Sequence, residues 1–577
     1  VTKMTESNDG YSVSGQQSAE DSPAGKPFLR RGTVSAIVGL VAIAIVQFFA
    51  PSFDYQIAFL VCVVIGAISL GLTLLFLQRA AWQAGHAWIV PLSTIAVALT
   101  LFGLVRIRTL SGEMIPQFEW RFTSHRVPDL QTTVAGPATA NELAGGHDAE
   151  IAGEGDATGG PEGGIVGPTP SATWDQFLGG DRNGIAADRE FEIPKSPAEV
   201  QTLWNIGIGA GWSSFSVSNN IAVTLEQRDE RECVTAYRLT DGELLWIVDH
   251  EAVHTHPLGE TGPRSTPTIW DGRVYAQGAT GMLWCIDLNS GEVLWEVDLL
   301  DLAGWNQTES EAAITWGRSA SPLLVDGLCV VPLGGDELAP ERSLVALDAF
   351  SGEVRWRAGP DQISYASPQF LTLAGQPQIV IVNESTISGH AIDSGAQLWQ
   401  TDWAGQSNGG ANCASVVPAG ENRFLIGKGY GGGSALIEVK PDQSGEGYIA
   451  EDVWRSNRIM KTKFNHAVVR EGVAYGISNG ALQAINLESG ERLWEQSRRN
   501  RSGQGQVILA GDTLIVQEEM GDVALVAADP HEYRELARLK ALDHKTWNVP
   551  SLVGNVLLIR NSVQAMALQL PAKQPTR

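Results

Sequence analysis

Arginine and lysine recur at one kind of position beyond residue 260 of this 577-residue chain. Gly262-Pro263-Arg264-Ser265-Thr266-Pro267, Gly317-Arg318-Ser319-Ala320-Ser321-Pro322, Met460-Lys461-Thr462-Lys463-Phe464 and His544-Lys545-Thr546-Trp547 each place a cation just before an apolar run of strand type. Gly211-Trp212-Ser213-Ser214, Tyr365-Ala366-Ser367-Pro368 and Gln504-Gly505-Gln506 stand in equivalent places without one. If one fold gathers these segments, Arg264, Arg318, Lys463 and Lys545, flanked by Trp212 and Trp547, form a positive funnel. Such a funnel suits a carboxylate, a phosphate or a quinone dianion. The competing outcome is neutralisation in place, because residues 173–577 carry 31 basic side chains against 51 acidic ones.

Other chemistry-bearing spacings are weaker. Gly427-Lys428-Gly429-Tyr430-Gly431-Gly432 spells GxGxxG after an apolar run, but the next run, Ser434–Val439, reads as a strand and not a helix. A glycine-rich hairpin or a close backbone approach to a channel is therefore expected in place of a dinucleotide site. His254-Thr255-His256 sets two imidazoles on one face of an extended segment, yet no third ligand accompanies them, so a solvated loop is expected and no metal site. Glu518-Glu519 reads as a turn position, where carboxylates serve backbone geometry. Cys62, Cys233, Cys285, Cys329 and Cys413 form an odd set with no CxxC, which argues against zinc or a disulfide framework; Cys285 and Cys329 lie in apolar runs and are expected to be buried and inert.

These side chains need a scaffold, and the sequence repeats to supply one. Gly242, Gly291, Gly352, Gly395 and Gly490 each precede a tryptophan by four residues, at Trp246, Trp295, Trp356, Trp399 and Trp494. Short β-type runs flank these units, several opened by Asp-Gly turns such as Asp271-Gly272 and Asp326-Gly327. Each unit reads as about four short antiparallel strands, and such units bury both faces by stacking radially into a β-propeller. Trp454 marks a degenerate unit and 536–539 closes another. Trp204 opens the series with no unit before it, while 563–570 ends it with no outer strand after it. The strand of Trp204 is therefore expected to complete the last blade, giving eight. The repeated glycines make the turns, and the tryptophans wedge between adjacent blades.

This hydrophobic-Asp-x-x-[Ser/Thr/Asp]-Gly-Glu-x-x-Trp repeat resembles that of the PQQ-like (quinoprotein) eight-bladed propellers, as does the opening motif Trp174-Asp175-Gln176-Phe177-Leu178-Gly179-Gly180-Asp181-Arg182-Asn183-Gly184. The whole chain, including Ser111-Gly112-Glu113-Met114-Ile115-Pro116, is similar to membrane-anchored PQQ-like repeat proteins of planctomycete-type bacteria. The resemblance covers about 172–570. It implies an all-β fold that serves both dehydrogenases and non-catalytic scaffolds such as the BamB lipoprotein, so it specifies architecture more strongly than activity. For a dehydrogenase it implies PQQ in the central funnel, Ca²⁺ and an Asp base. Against that, the adjacent Cys-Cys pair, an evident Glu/Asn/Asp calcium set and the long inter-blade insertions of those enzymes are missing.

The first quarter differs. Residues 1–32 are polar and read as a cytoplasmic N-terminus. Three apolar runs without charge, 33–50, 56–77 and 88–105, predict three transmembrane helices within 33–107. Lys26, Arg30, Arg31 and Arg79, set against a loop at 51–55 with no Lys or Arg, place the N-terminus inside and the propeller outside the cytoplasmic membrane. A juxtamembrane segment (108–130) and an acidic Gly/Pro-rich linker (131–172) lead to the propeller (173–570) and a short tail (571–577). The net charge of −25 excludes a nucleic-acid partner. The expected role is a multi-pass inner-membrane protein whose periplasmic propeller is a non-catalytic binding or assembly scaffold. Its expected partners are the lipid bilayer, proteins at the blade loops and a small anionic ligand in the funnel. The alternative is a membrane-tethered PQQ- and Ca²⁺-dependent alcohol or sugar dehydrogenase passing electrons to membrane quinone, and a third reading is a small-molecule sensor.

Overall fold

The computed structural model describes residues 26–49, 55–123, 127–134, 174–186, 189–445 and 447–573, and it divides the chain into two compact units. The first, Val1–Ala50 with Ile57–Arg106, is mostly helical over its described residues. Helix α1 (Lys26–Phe49, 24 residues) and α2 (Tyr55–Gln83, 29 residues) carry apolar side chains all round. They approach closely because small residues meet between them: a Cβ on Gly39 would lie 2.1 Å from Ser69 Oγ, and that hydroxyl donates to the Ser35 carbonyl at 2.8 Å. Both α1 and Ala58–Gln83 within α2 are long and apolar enough to cross a membrane. The third expected span is shorter. Helix α3 (Ile89–Leu104) has 16 residues, about 24 Å at 1.5 Å per residue against ~30 Å of hydrocarbon, and at Val105 the chain turns directly into a strand.

The second unit is built on eight four-stranded antiparallel sheets, one of them extended by a fifth strand. Strands β1 (Val105–Leu110), β2 (Pro116–Trp120), β3 (Ile185–Ala186) and β4 (Gln201–Gly207) precede the first complete blade. Blades I to VII then follow in chain order at 216–251, 268–298, 323–358, 369–402, 417–456, 468–495 and 506–539, with β3 pairing in parallel on the inner edge of blade VII. Blade VIII takes its three inner strands from 551–569 and its outer strand from β4, with Trp204 opposite Ala567. The ring therefore closes as the repeat predicts.

The Gly–Trp spacing is a clasp between neighbouring blades. Gly291 sits at φ +73°, and a Cβ there would lie 2.7 Å from Cγ of Trp246 on the preceding blade. The Trp246 indole donates its N–H to the Leu288 carbonyl of the same turn at 2.9 Å. Trp204, Trp295, Trp356 and Trp454 repeat this over Gly242, Gly352, Gly395 and Gly490, donating to Leu239, Ala349, Ile392 and Leu487. Glycine is needed on two counts, the left-handed turn and the ring lying flat against it. Trp399 departs from the pattern and donates to Gln378 within its own blade.

Candidate functional site

In each blade the innermost strand is entered from the same end of the ring, so the segments before blades I to VIII converge on one axial mouth. They are stitched together there by a relay in which one segment's backbone N–H meets the next segment's side chain. Ser214 N–H donates to Thr266 Oγ1 (3.2 Å), Thr266 N–H to Ser321 Oγ (2.9 Å) and Ser321 N–H to Ser367 Oγ (2.9 Å). Ser367 N–H then donates to Ser415 Oγ (3.0 Å), and Ser415 N–H to His466 Nε2 (3.0 Å). The small hydroxyl residues of these segments thus satisfy buried backbone donors around the axis.

Below this ring the opening motif crosses the channel. Trp174 pairs with Val217, the Asp175 carbonyl accepts from Ile269 N–H, and Ile185 pairs with Leu509. Arg182 is fully buried and donates to the Pro322 and Ser321 carbonyls at 2.9 and 3.1 Å, and burial pulls its guanidinium down to about 9. Phe177 meets His466 edge-on at 5.3 Å and forms the floor of the chamber above it.

The roof is unexpected. Strands β1 and β2 pair as a hairpin whose tip, residues 111–114, is seated in the mouth. The Ser111 hydroxyl shapes the tip by accepting from Ile115 N–H at 3.1 Å. Glu113, only 4% exposed, forms an ion pair with the equally buried Lys463 at 3.1 Å and accepts from Gln504. Lys463 also donates to the Gly112 carbonyl at 3.0 Å, and Lys545 to the Leu110 carbonyl at 3.2 Å. Gly112 lies so close to the wall that a Cβ would be 2.5 Å from Gln504 Cγ, and its N–H donates to Glu519.

Of the residues expected to form the funnel, Trp212, Arg264, Lys463, Lys545 and Trp547 meet at this mouth, whereas Arg318 points away from it. Arg318 donates to the Pro332 and Leu333 carbonyls of its own blade at 3.1 and 2.7 Å, and burial lowers it to about 10. Arg264 donates to the Gly262 and Gly259 carbonyls at 3.0 and 2.6 Å, with burial again lowering it to about 10. Lys545 pairs with Glu260 and lies 4.1 Å from the centre of the Trp547 ring. Arg264, Lys463 and Lys545 therefore share the mouth with the carboxylates Glu113, Glu260 and Glu519.

Between floor and roof lies a chamber of about 360 Å³ with an aromatic wall. Trp547 packs on Trp212 at 4.9 Å and on Phe464 at 4.8 Å. Trp316 packs on Tyr365 at 5.3 Å and stacks on Tyr430 at 6.4 Å with 17° between planes. Tyr430 belongs to the Gly427–Gly432 stretch, which is the expected hairpin: a Cβ on Gly429 would lie 2.2 Å from Lys463 Cγ. Cys413 also lines the chamber, its thiol pushed up to about 12 by burial. Cys285 and Cys329 are buried and free, as expected.

Two expectations need correction. His254 is not solvated. The pairing of Thr255–His256 with Glu260–Thr261 folds the loop back onto Gly317 and Ala279, leaving His254 buried with its imidazole lowered to about 4 by desolvation. Glu519 does more than serve its turn, since it accepts from Gln504 N–H (3.0 Å) and Trp547 Nε1–H (2.8 Å) as well as from Gly112. The start of the linker is also docked: Gln131 bonds to Gly242, Leu244 and Arg228 of blade I, while 135–173 lies outside the described residues.

A polycarboxylate quinone with Ca²⁺ does not fit these residues. The described residues contain no group of three His, Cys, Asp or Glu side chains able to hold a metal ion. The cations that would meet its carboxylates are already bonded to Glu113, Glu260 or backbone carbonyls, and residues 111–114 fill the mouth.

The fold and site define an eight-bladed β-propeller with a capped axial chamber. The family described as Outer membrane protein assembly factor BamB matches residues 230–382, 301–531 and 383–569, and the chain belongs to this family of PQQ-like propellers. Relatives include the Quinohemoprotein alcohol dehydrogenase ADH-IIG of Pseudomonas putida, 23% identical over 54% of this chain and 38% of that enzyme. The Outer membrane protein assembly factor BamB of Shewanella oneidensis is 22% identical over 52% of this chain and 73% of that protein. The crystal structure of the quinohemoprotein alcohol dehydrogenase from Comamonas testosteroni shares the fold at a TM-score of 0.51, with 12% identity over 71% of this chain and 82% of that one. The chain thus spans well under half of the P. putida enzyme, although it covers most of the BamB protein.

Proposed function

We propose that this protein is a membrane-tethered, non-catalytic propeller that works as a docking scaffold outside the cytoplasmic membrane. One observation carries the non-catalytic reading: the protein's own 111–114 turn occupies the axial mouth, with Glu113 neutralising Lys463. The tether reading rests on α1 and α2, and the side of the membrane depends on α3, because two crossings and three put the propeller on opposite sides. Partner docking draws on the relatives named as outer membrane protein assembly factors. It also draws on blade loops such as 333–343, which carries Leu338 at 92% exposure. That loop joins the two middle strands of blade III at the same end of the ring as the mouth. Single exposed apolar residues are common on protein surfaces, and Leu338 serves here as a fully accessible reporter position on that loop.

The full-length protein in detergent, titrated with PQQ and Ca²⁺ and assayed for dye-linked oxidation of alcohols and sugars, tests this reading. No turnover is expected. Photo-crosslinking from position 338 in cells is expected to give one discrete protein adduct. Saturable PQQ binding with turnover, or crosslinks to lipid only, would overturn the scaffold.

A further inference from the structure

The wall of the capped chamber is chemically specific in a way that the docking role does not use. Its two aromatic groups stand on different arcs of the ring: Trp212, Phe464 and Trp547 come from the segments before blades I, VI and VIII, and Trp316, Tyr365 and Tyr430 from the segments before III and IV and the hairpin of blade V. Phe177 closes the floor, while Leu110 and Met114 close the roof. The three rim cations stand against three rim carboxylates, Glu113, Glu260 and Glu519: Lys463 and Lys545 are ion-paired, and Arg264 is held by the Gly259 and Gly262 carbonyls, so each cation is already engaged. One polar feature is left over. His466 accepts the Ser415 N–H at Nε2, which puts its proton on Nδ1, and this buried N–H has no partner among the described residues. A buried donor without an acceptor is costly, and a ligand atom that accepts from it recovers that loss.

We propose that this chamber is a binding site for an uncharged, planar ring compound of about naphthalene size that carries one hydrogen-bond acceptor. The volume of about 360 Å³ lies within the range of small-molecule pockets. Flat aromatic walls favour offset or edge-on contact with a ring, and a neutral ligand leaves the matched rim charges undisturbed. The 111–114 turn covers the bound molecule. The chamber also reaches solvent beside Leu258 and Asn408, and lifting of the turn widens this access, so weakening the Glu113–Lys463 pair speeds entry.

The test uses the full-length protein with Cys62→Ser, so that Cys413, the one cysteine of intermediate exposure among the described residues, reports on the chamber by its alkylation rate. The probes are 2-acetonaphthone, 2-methylnaphthalene and 2-naphthoate, followed by tryptophan fluorescence. The ketone is expected to bind with a Kd on the order of 10–100 µM, to protect Cys413, and to bind at least about tenfold more tightly than the carboxylate. His466→Phe is expected to weaken the ketone about fivefold while leaving the hydrocarbon unchanged. Glu113→Lys is expected to raise both the Cys413 alkylation rate and the ketone association rate. Equal or tighter binding of 2-naphthoate overturns the proposal in favour of an anion site. Absence of binding by all three probes in both the parent protein and the Glu113→Lys variant overturns it outright. Ketone affinity unchanged by His466→Phe overturns the assigned hydrogen bond.

Discussion

At the scale of single residues, the Gly–Trp clasp and the buried imidazoles lead to predictions with opposite causes. Gly291→Ala puts a methyl group 2.7 Å from the Trp246 ring at a φ of +73°. A loss of roughly 2–4 kcal/mol is expected from strain and overpacking together, read from urea unfolding. Trp246→Phe keeps much of the packing but leaves the Leu288 carbonyl unpaired, and is expected to cost about 1–3 kcal/mol. The imidazoles act through protons. Burial lowers His254 and His466 to about 4 in the fold, against about 6.5 in an unfolded chain. Between these values the unfolded state binds more protons, so stability is fully present above pH 6.5 and falls as the pH drops toward 4. Each imidazole contributes on the order of 3 kcal/mol to that loss. The pH-dependence of unfolding is expected to flatten over this interval when His254 and His466 are both replaced by Gln. A slope unaffected by the double replacement would contradict the assignment. Asp348, held near 2 mainly by Arg355, titrates below the window.

The hairpin of β1 and β2 carries the prediction at the scale of elements. Glu113→Gln leaves Lys463 buried without its counter-charge, a change that costs ~3–5 kcal/mol where a pair is fully enclosed. The loss is expected to appear as release of the turn, with faster Cys413 alkylation, while the unfolding midpoint of the propeller stays within a few degrees. The contrast between this element and the blades explains what could be read from the chain. Turns such as Asp287 to Trp295 were legible because the glycine, the tryptophan and the aspartate that accepts the Ser290 N–H lie within ten residues, repeated many times, although the Trp295 indole itself bonds to the next blade. The closing strand was legible from the one tryptophan with no unit before it. Glu113 was not, because its partners Lys463 and Gln504 lie about 350 and 390 residues away and no local period connects them. Arg318 misled for a related reason. It stands one position earlier in the repeat than Arg264, three residues before Ser321 where Arg264 is two before Thr266, so Ser319 takes the chamber-lining place and Arg318 turns to the carbonyls of Pro332 and Leu333, which only the folded blade brings near. The recurrence of cations in a strongly acidic domain was still a usable sign that buried carboxylates would meet them.

For the whole molecule, the length of α3 decides the orientation on which the proposed role depends. A phosphatase reporter fused after residue 577 is expected to be active, and removal of 88–105 is expected to silence it by returning the propeller to the cytoplasm. An inactive reporter in both forms would mean that α3 does not cross. The pairing of β4 with the strand Gln564–Gln569 has a further consequence, in time. Asn205 meets Met566 more than 350 residues later, so synthesis must deliver nearly the entire chain before the last blade can form. At roughly 5–20 residues per second the early strand waits on the order of half a minute for its partner, with one edge unpaired. Anything that shields an open strand edge during that wait, a chaperone or a translocation channel, would govern how much closed ring the cell obtains.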